Sequence, residues 1–313
     1  MFTEVLEAIK AYDTIILHRH GRPDGDALGS QIGLAAILRE NFPEKTVYMV
    51  GDAPGFFGFM EGAVMDDISD GDYYGALAVI LDCGAPHMVS DNRYNFADKT
   101  VRLDHHIFCG QFANIEVIDT GYESCCGMVT DFAHRCGLKL NPLAAKSLYT
   151  GMVTDSGRFR YDGTTAQTHR LASILMEQPF DTNELFRNLY ADSFASKQLK
   201  AKFILKIQFS PKNVAYIYTT KEEFDELGAD IFTVSRGMVN TMADIKGTDI
   251  WVNFTESDRG VLCELRSNRY NINPIAVKYG GGGHAKASGA TVADRQTAMA
   301  MLADLDAMIG ENT

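Results

Sequence analysis

One short segment combines several side chains that could bind a metal ion. It reads His20-Gly-Arg-Pro-Asp24-Gly-Asp26-Ala-Leu-Gly-Ser30, with an imidazole and two carboxylates within seven residues. The segment lies between an apolar strand-like run and a helical pattern, and open α/β sheets bind ligands at the carboxyl ends of parallel strands. Aspartate, glycine and proline are also common turn residues, so the alternative interpretation of this segment taken alone is a turn with a few solvated acids.

Three further segments place carboxylates or imidazoles where a regular element ends. They are ALAVIL followed by Asp82, TVRL followed by Asp104-His105-His106, and a helical run that ends in Thr154-Asp155-Ser156-Gly157. A carboxylate directly after a buried strand is costly unless it is paired or bound to a cation. Because all these residues would share one edge of one sheet, the sequence predicts a divalent metal site there.

The predicted site offers four carboxylates and two imidazoles, more than one catalytic ion with open positions uses. The predicted ligands are His20, Asp24, Asp26, Asp82, His105 and Asp155. Oxygen and nitrogen ligands without thiolate favour Mn²⁺, with Mg²⁺, Co²⁺ or Fe²⁺ as possible substitutes. Zinc is not excluded by ligand type, although catalytic zinc usually has three protein ligands with imidazole prominent. We therefore expect two divalent ions per chain, with Mn²⁺ as the first choice.

The elements that must position these residues follow an α/β pattern. Short β-rich runs alternate with helical patterns over residues 12–155, as in βαβ units that build a mostly parallel sheet. The predicted strands are residues 14–18, 46–50, 76–81 and 100–103, and the predicted helices are residues 30–40, 124–136 and 143–153. Ser30 is expected to cap the first of these helices.

The pattern changes beyond Gly157, which predicts a second, smaller α/β module. The predicted elements there are helices at 166–177, 235–243 and 273–279, a mainly polar helical segment at 181–205, and strands at 214–219 and 250–254. The predicted boundaries are a metal-binding domain at 1–185, a helical linker at 186–205 and a substrate-binding domain at 206–313.

Composition excludes several classes of protein. The chain has 313 residues, of which 46% are hydrophobic and 22% charged, so it is not disordered or fibrous. Its 29 basic and 41 acidic residues give a net charge of −12, which disfavours tracking along long DNA or RNA. The six cysteines form no Cys-x-x-Cys pair, and the first 20 residues lack an apolar signal region. We therefore expect a cytoplasmic protein with reduced thiols and no membrane segment.

The motifs together resemble those of the DHH phosphoesterases. They are the His20-to-Ser30 segment, the lone Asp82, Asp104-His105-His106, Thr154-Asp155-Ser156-Gly157 and the late Gly280-Gly-Gly-Gly-His284-Ala-Lys-Ala-Ser288-Gly289. The last motif resembles the DHHA-type domain of the nanoRNase (NrnA-like) branch. Members of that branch act as oligoribonuclease and 3′-phosphoadenosine-5′-phosphate (pAp) phosphatase and include related cyclic-di-AMP or pApA hydrolases. One departure is Ser124-Cys125-Cys126, where relatives often carry small hydroxyl residues.

The resemblance implies a role for each motif residue. One Mn²⁺ would be held by His20, Asp24 and Asp82, and the other by Asp26, Asp82, His105 and Asp155, with Asp82 as the bridge. His106 would face the scissile phosphate and Asp104 would orient its neighbours. The substrate would be bound by Arg266, Ser267, Gly281, Gly282, Gly283 and His284. In the glycine run, chain without Cβ atoms could bring successive amide groups close to a phosphate.

The implied reaction is hydrolysis of a phosphoester by a hydroxide that two metals activate. We expect it to act on short oligoribonucleotides or dinucleotides such as pApA, and possibly on pAp, rather than on long nucleic acid. The alternatives are a cyclic-di-AMP phosphodiesterase, an exopolyphosphatase or inorganic pyrophosphatase-like hydrolase, and a catalytically silent nucleotide sensor. A homodimer is possible.

Overall fold

The structure is a computed structural model that describes residues 2–311, and the chain divides into two compact units. The first unit extends to Ala191 and the second begins at Asp192. This division lies within the segment 186–205 that the sequence predicts as a linker. The predicted domains also include residues 1, 312 and 313, which lie outside the described residues.

The first unit is built on a parallel sheet of five strands with helices around it. Its strands are β1 (Thr14–His18), β2 (Thr46–Met49), β3 (Leu77–Leu81), β4 (Lys99–Asp104) and β5 (Ile115–Ile118). Its α-helices are α1 (Phe2–Ala11), α2 (Gly25–Asn41), α3 (Cys125–Arg135), α4 (Pro142–Asp155), α5 (Ala166–Met176) and α6 (Thr182–Tyr190). The strand order is β2-β1-β3-β4-β5, with every pair parallel. This confirms the predicted α/β fold, whose apolar strands are covered on both faces.

Helix α2 begins earlier than the sequence predicts, and a different residue caps it. Asp24 is the N-cap, and its Oδ1 accepts the backbone N–H groups of Asp26 and Ala27, each at 3.0 Å. Ser30 is buried inside the helix, where its hydroxyl donates to the carbonyl oxygen of Ala27 at 3.1 Å. The prediction that Ser30 caps the helix is therefore wrong, because an aspartate one turn and a half earlier satisfies the first free amides.

Helices α2 and α4 approach closely because small residues line their contact. A Cβ atom on Gly29 would lie 2.6 Å from the carbonyl oxygen of Ser147, and one on Gly151 would lie 3.0 Å from the Cα atom of Asp26. The close approach brings the first turn of α2 next to the last turns of α4. It therefore places the loop before α2 beside the C-terminal end of α4.

The second unit contains a mixed sheet of six strands. Its elements are α7 (Phe194–Leu205), β6 (Gln208–Phe209), β7 (Ala215–Thr219), α8 (Lys221–Leu227), β8 (Ile250–Ser257), β9 (Gly260–Ser267), α9 (Asn273–Lys278), β10 (Gly282–His284), β11 (Ala287–Val292) and α10 (Arg295–Glu311). The strand order is β10-β11-β9-β8-β7-β6, and β7 with β8 is the parallel pair. None of the helices described between residues 2 and 311 has the length and apolar character needed to cross a membrane.

The α-helix predicted at 235–243 is replaced by a π-helical turn, Thr233–Gly237, and a 3₁₀-helix, Val239–Met242. The side-chain amide of Asn253 donates to the carbonyl oxygens of Val234 and Ser235, each at 2.7 Å. An α-helix would use these same carbonyls for its own hydrogen bonds. A long-range side chain therefore overrides the local helical pattern.

We predict that Gly29→Ala destabilises the first unit. Overpacking costs about 1–3 kcal/mol, and here the added methyl group would meet a backbone carbonyl. This cost exceeds the gain of at most about 1 kcal/mol that alanine has over glycine in a helix. Urea unfolding followed by circular dichroism measures the change. Gly58→Ala is the matched control, because its nearest neighbour would be a proline ring atom at 3.7 Å; equal midpoints for the two variants would contradict the prediction.

Candidate metal centre

The predicted ligands come together at the carboxyl edge of the parallel sheet. They are His20 after β1, Asp24 and Asp26 at the start of α2, Asp82 after β3, His105 after β4 and Asp155 at the end of α4. They form two groups of potential ligand atoms, His20 with Asp24 and Asp82, and Asp26 with His105 and Asp155. A third group joins Asp82 with His105 and His106. The structure therefore brings all six residues together.

The Nε2 atoms of His20 and His105 face carboxylate oxygens, but they lie farther from them than in a hydrogen bond. Nε2 of His20 lies 3.5 Å from Asp82 Oδ2 and 3.7 Å from Asp24 Oδ1. Nε2 of His105 lies 3.5 Å from Asp82 Oδ1, 3.7 Å from Asp26 Oδ2 and 3.4 Å from Asp155 Oδ2. These separations exceed good hydrogen bonds. The donor atoms are thus gathered together without good hydrogen bonds between them, as the ligands of a shared cation would be.

The ring of His20 is oriented for ligation through Nε2. Its Nδ1–H donates to the backbone carbonyl of Gly21 at 2.8 Å. A hydrogen bond from Nδ1 selects the tautomer whose Nε2 carries a lone pair, an arrangement common among metal-binding histidines. The lone pair is therefore directed toward the carboxylates of Asp24 and Asp82.

Asp82 lies between the two histidines and needs a cation. It is 2% exposed, and its Oδ1 has no hydrogen-bond partner among the residues described. Its backbone adopts φ of +55°, a left-handed conformation that is uncommon for a residue other than glycine and that clusters at functional sites. An unsatisfied buried carboxylate oxygen is costly. A divalent ion on each side would satisfy both oxygens, so the residues present fit a two-ion site.

Asp26 is held by the N-terminus of helix α3. Its two carboxylate oxygens accept the backbone N–H groups of Cys125 at 2.7 Å and Cys126 at 2.8 Å. Free amides and the helix dipole both favour an anion at this position. The two cysteines are buried thiols that contribute backbone amides, so the departure from small hydroxyl residues leaves this anion site in place.

Charge crowding shifts the titration of the whole cluster. Burial raises the pKa of Asp155 to about 7 and, with the charge of Asp82, raises the pKa of Asp26 well above its usual value. Burial lowers the pKa of His20, but the carboxylates of Asp24 and Asp82 outweigh it and raise the pKa to about 11. Burial likewise lowers the pKa of His105, but nearby carboxylates, Asp82 most of all, outweigh this effect and raise the pKa to about 10. Without metal ions the cluster must hold protons.

His106 and Asp104 form a separate pair beside the ligands. Asp104 is fully buried and its Oδ1 accepts the Nδ1–H of His106 at 2.8 Å. The guanidinium of Arg102, also fully buried, donates to the other carboxylate oxygen of Asp104 at 2.5 Å. The hydrogen bond to Asp104 raises the pKa of His106, whose side chain is 45% exposed. Asp104 thus orients a histidine that reaches toward solvent.

A second buried guanidinium supports the His20 loop, and the sequence analysis missed it. Arg19 is fully buried and donates to Asp52 Oδ1 at 2.8 Å, to the carbonyl oxygen of His20 at 3.0 Å and to Gln31 Oε1 at 3.0 Å. Asp52 also accepts the backbone N–H of Arg22 at 2.7 Å. An arginine in an apolar strand run was the available signal, because a buried guanidinium requires a carboxylate or carbonyl partners.

The predicted substrate residues of the second unit lie at one side of its sheet. Arg266 on β9 and His284 on β10 are both paired in register with Ala287 of β11, so their side chains share a face. Arg266 donates to Glu264 at 3.2 Å. Ser267 is the last residue of β9, and its hydroxyl oxygen accepts the backbone N–H groups of Arg269 and Tyr270 in the turn that follows.

The glycine run is more regular than the sequence predicts. The amides of Gly280 and Gly281 donate to the carbonyl oxygens of Val277 and Ala276, which ends helix α9. Gly282 and Gly283 belong to edge strand β10. The expectation of successive free amides is therefore wrong for the first two glycines. Sterics account for Gly281, where a Cβ atom would lie 2.1 Å from the carbonyl oxygen of Gly289, whereas one on Gly282 would meet no atom within 4 Å.

Two family models match the chain. The DHH family, N-terminal domain, matches residues 14–152, which include β1 to β5 and most of α4. The DHHA1 domain matches residues 230–311, which include β8 to β11 and α10. The matched ranges therefore include five of the six predicted ligands, with Asp155 three residues beyond the DHH match, and the strands that carry Arg266 and His284.

Several relatives align over nearly the whole chain. A protein of Bacillus subtilis (strain 168), named bifunctional oligoribonuclease and PAP phosphatase NrnA, is 35% identical over 100% of both chains. A protein of the same name from Mycoplasma genitalium is 32% identical over 96% of both chains. Among solved structures, an exopolyphosphatase-related protein from Bacteroides fragilis superposes with a TM-score of 0.84 at 24% identity, covering 97% of this chain and 95% of its own. That likeness shows the fold.

We predict that the cluster exchanges protons for metal ions. With pKa values of about 11 and 10, His20 and His105 are protonated at neutral pH in metal-free protein, and each must lose its proton to ligate. Loading with Mn²⁺ should therefore release at least two protons per chain, with further release from Asp26 and Asp155, whose pKa values are also raised. Affinity should fall by about tenfold per pH unit for each displaced proton as the pH is lowered.

Calorimetry in buffers of different ionisation enthalpy, between pH 8 and pH 6, measures both quantities. His105→Gln should release fewer protons and bind more weakly. The matched control is His134→Gln, an exposed histidine in the last turn of α3, which should behave as wild type. A pH-independent affinity for Mn²⁺ would exclude this exchange.

Proposed function

The chain belongs to the DHH family and is a phosphoesterase of the NrnA kind, and on this premise we propose that it hydrolyses short oligoribonucleotides or dinucleotides such as pApA, and possibly pAp, with two Mn²⁺ ions. The observation that carries the proposal is the convergence of six metal-ligand side chains around Asp82, with its unsatisfied buried oxygen. Full-length similarity to relatives named oligoribonuclease and PAP phosphatase supports the substrate class.

The proposed ion sites share Asp82. One would be held by His20, Asp24 and Asp82, and the other by Asp26, Asp82, His105 and Asp155. Two divalent ions supply Lewis acidity there: they make a hydroxide nucleophile available at neutral pH and offset charge on the phosphoryl oxygens. Mn²⁺ suits a set of carboxylates and imidazoles without thiolate, and Mg²⁺ or Co²⁺ could substitute.

His106 is proposed as the catalytic residue that contacts the phosphate. Its hydrogen bond to Asp104 raises the pKa of His106 and so favours the imidazolium form, whose Nε2–H can donate to a phosphoryl oxygen as negative charge develops there. Asp104 is a positioning residue, and Arg102 holds it by a charge-assisted hydrogen bond. No serine or cysteine nucleophile is needed, because water is the nucleophile of the reaction.

The second unit is proposed to bind the nucleotide. Arg266 and His284 offer two hydrogen-bond donors on one face of the sheet. On the edge strand, the position where Gly282 lacks a side chain is open space. Gly281, Gly283 and Ser267 shape the backbone around these residues. A short ligand can be bound by a few local contacts and does not require a long basic groove. The net charge of −12 is therefore compatible with binding such a ligand.

We predict a ranking of substrates for the protein after chelation and restoration of Mn²⁺. The assay compares product release from pApA, a five-residue RNA, pAp, cyclic-di-AMP and pyrophosphate. Turnover of pApA or the short RNA should exceed that of pyrophosphate, because the full-length relatives are named oligoribonuclease and PAP phosphatase. A preference for pyrophosphate would keep the metal chemistry and overturn the substrate class, and a preference for cyclic-di-AMP would select that alternative.

We also predict that Asp82→Ala abolishes turnover while the fold is retained, because Asp82 would serve both ions. Turnover of pApA, metal content and the circular dichroism spectrum are measured together. Asp98→Asn is the matched control, since Asp98 is an exposed carboxylate before β4, at the opposite edge of the sheet. Activity that persists in Asp82→Ala would refute the shared-ligand arrangement.

For His106→Gln we expect kcat to fall by about 100- to 1000-fold with KM nearly unchanged, since it removes one donor to the developing charge. His134→Gln should keep wild-type kcat. A matching loss of bound Mn²⁺ in His106→Gln would instead assign His106 to the metal ligands, so the metal content of each variant is measured as well.

A further inference from the structure

Three phenylalanine rings cluster beside the metal centre, on the short 3₁₀-helix Gly55–Phe59 that follows β2. Phe56, Phe57 and Phe59, here named the Phe56 cluster, have ring centroids 5.1, 5.7 and 6.1 Å apart. Phe57 packs partly against the core of the unit, whereas Phe56 is 66% exposed and Phe59 is 36% exposed. Phe57 lies between the core and the two exposed rings. The rings of Phe56 and Phe59 therefore stay on the surface, where they can contact a ligand.

The Phe56 cluster contacts the loop that carries two predicted ligands. The Cε1 atom of Phe57 lies 3.1 Å from the position that a Cβ atom on Gly25 would occupy. Gly25 stands between Asp24 and Asp26, and the side chain of Thr154, next to Asp155, lies on the same spot. The absence of a side chain at position 25 lets the ring pack directly on the metal-ligand loop. A phosphate bound at the ions would therefore have an aromatic surface as its neighbour.

The charges around the Phe56 cluster exclude one kind of partner. Residues 51–70 contain five acidic residues and no lysine or arginine. Arg19 and Arg93 pair with Asp52 and Asp70, and the remaining acidic residues of the segment disfavour a continuing phosphodiester backbone. The exposed aromatic rings fit the flat face of a nucleobase, which stacks on such rings in many proteins that bind single strands, and Lys146 lines the pocket beside Phe59. The chemistry of the surface thus suits the last base of a strand.

We propose that the Phe56 cluster is the stacking platform for the base of the terminal nucleotide whose phosphoester is cleaved. This inference rests on the proposed function and deepens it. Stacking on Phe56 would position the terminal nucleoside beside the ions, and the excess of acidic residues in segment 51–70 would disfavour a strand that continues past it. The same surface therefore selects the end of a short chain.

The test measures kcat and KM for the full-length, Mn²⁺-loaded Phe56→Ala variant with pApA and with two matched dinucleotides that are abasic at either position. We expect KM for pApA to rise by about tenfold, the scale of one lost base–aromatic stack, with kcat within about twofold of wild type. One of the abasic substrates should have a raised KM with wild type and show no further change with Phe56→Ala. Phe56→Trp should restore the wild-type KM.

Phe96→Ala is the matched control, because Phe96 is 45% exposed on another 3₁₀-helix, Asn92–Phe96, that precedes β4 at the opposite edge of the sheet. Quenching of a 2-aminopurine base in the dinucleotide within the first turnover gives a second readout, which Phe56→Ala should weaken and Phe96→Ala should not.

Two results separate the inference from the function on which it rests. If wild type hydrolyses pApA and Phe56→Ala has the KM and quenching of Phe96→Ala, the platform is wrong and the proposed function stands. If wild type does not hydrolyse pApA, both fall. A change of oligomeric state on size exclusion in Phe56→Ala, with KM unchanged, would assign the surface to contact between copies of the chain and overturn the platform.

Discussion

Repulsion among four carboxylates is the constraint on which the first unit depends. Asp24, Asp26, Asp82 and Asp155 lie within reach of the same two imidazoles, and two of them are almost completely buried. Like charges at this separation in a poorly hydrated site cannot all be ionised without compensation. The raised pKa values of the histidines and of Asp155 express that demand. Divalent ions answer it, and the same positive charge is what hydrolysis of a phosphoester requires.

The protein meets part of that demand with its own dipoles and cations. The amides at the start of α3 hold Asp26, and Arg102 holds Asp104. Arg19 does not touch a predicted ligand side chain, but it bonds the carbonyl of His20 and the carboxylate of Asp52, so it shapes the ligand loop. The two buried guanidiniums stabilise backbone and positioning groups, which leaves the ligand carboxylates free for the ions. This separation keeps internal cations from occupying the metal sites.

The architecture assigns different tasks to the two units. In the first unit, four chain segments meet at one edge of the parallel sheet, where metal ions could bind. The mixed sheet of the second unit carries Arg266 and His284 on one face. Its edge strand contains glycine, which leaves space where a side chain would lie. Similarity to the Bacillus subtilis and Mycoplasma genitalium proteins extends across both units rather than over the first unit alone.

Local sequence predicted which residues could bind metal ions, and the structure brings those residues together. His20, Asp82 and His105 each follow a run of apolar residues, and the alternation of strands and helices already placed these ends at one edge of a sheet. Strand β1 was predicted to the residue because its apolar run is bounded by polar residues on both sides. The two glycines that pack between α2 and α4 are visible in the sequence, but their steric purpose is not.

Tertiary structure alone decided how the chemical groups are held. Asp26 meets the amides of Cys125 from 99 residues away, Asp82 turns into a left-handed conformation, and Phe57 packs on Gly25. The side chain of Asn253 likewise binds two backbone carbonyl groups in a segment where the local pattern favours an α-helix. None of these contacts has a local signature, because periodicity and propensity report only on neighbours along the chain. Contacts between distant segments depend on the packing of whole elements, and that packing places the ligands within reach of one another.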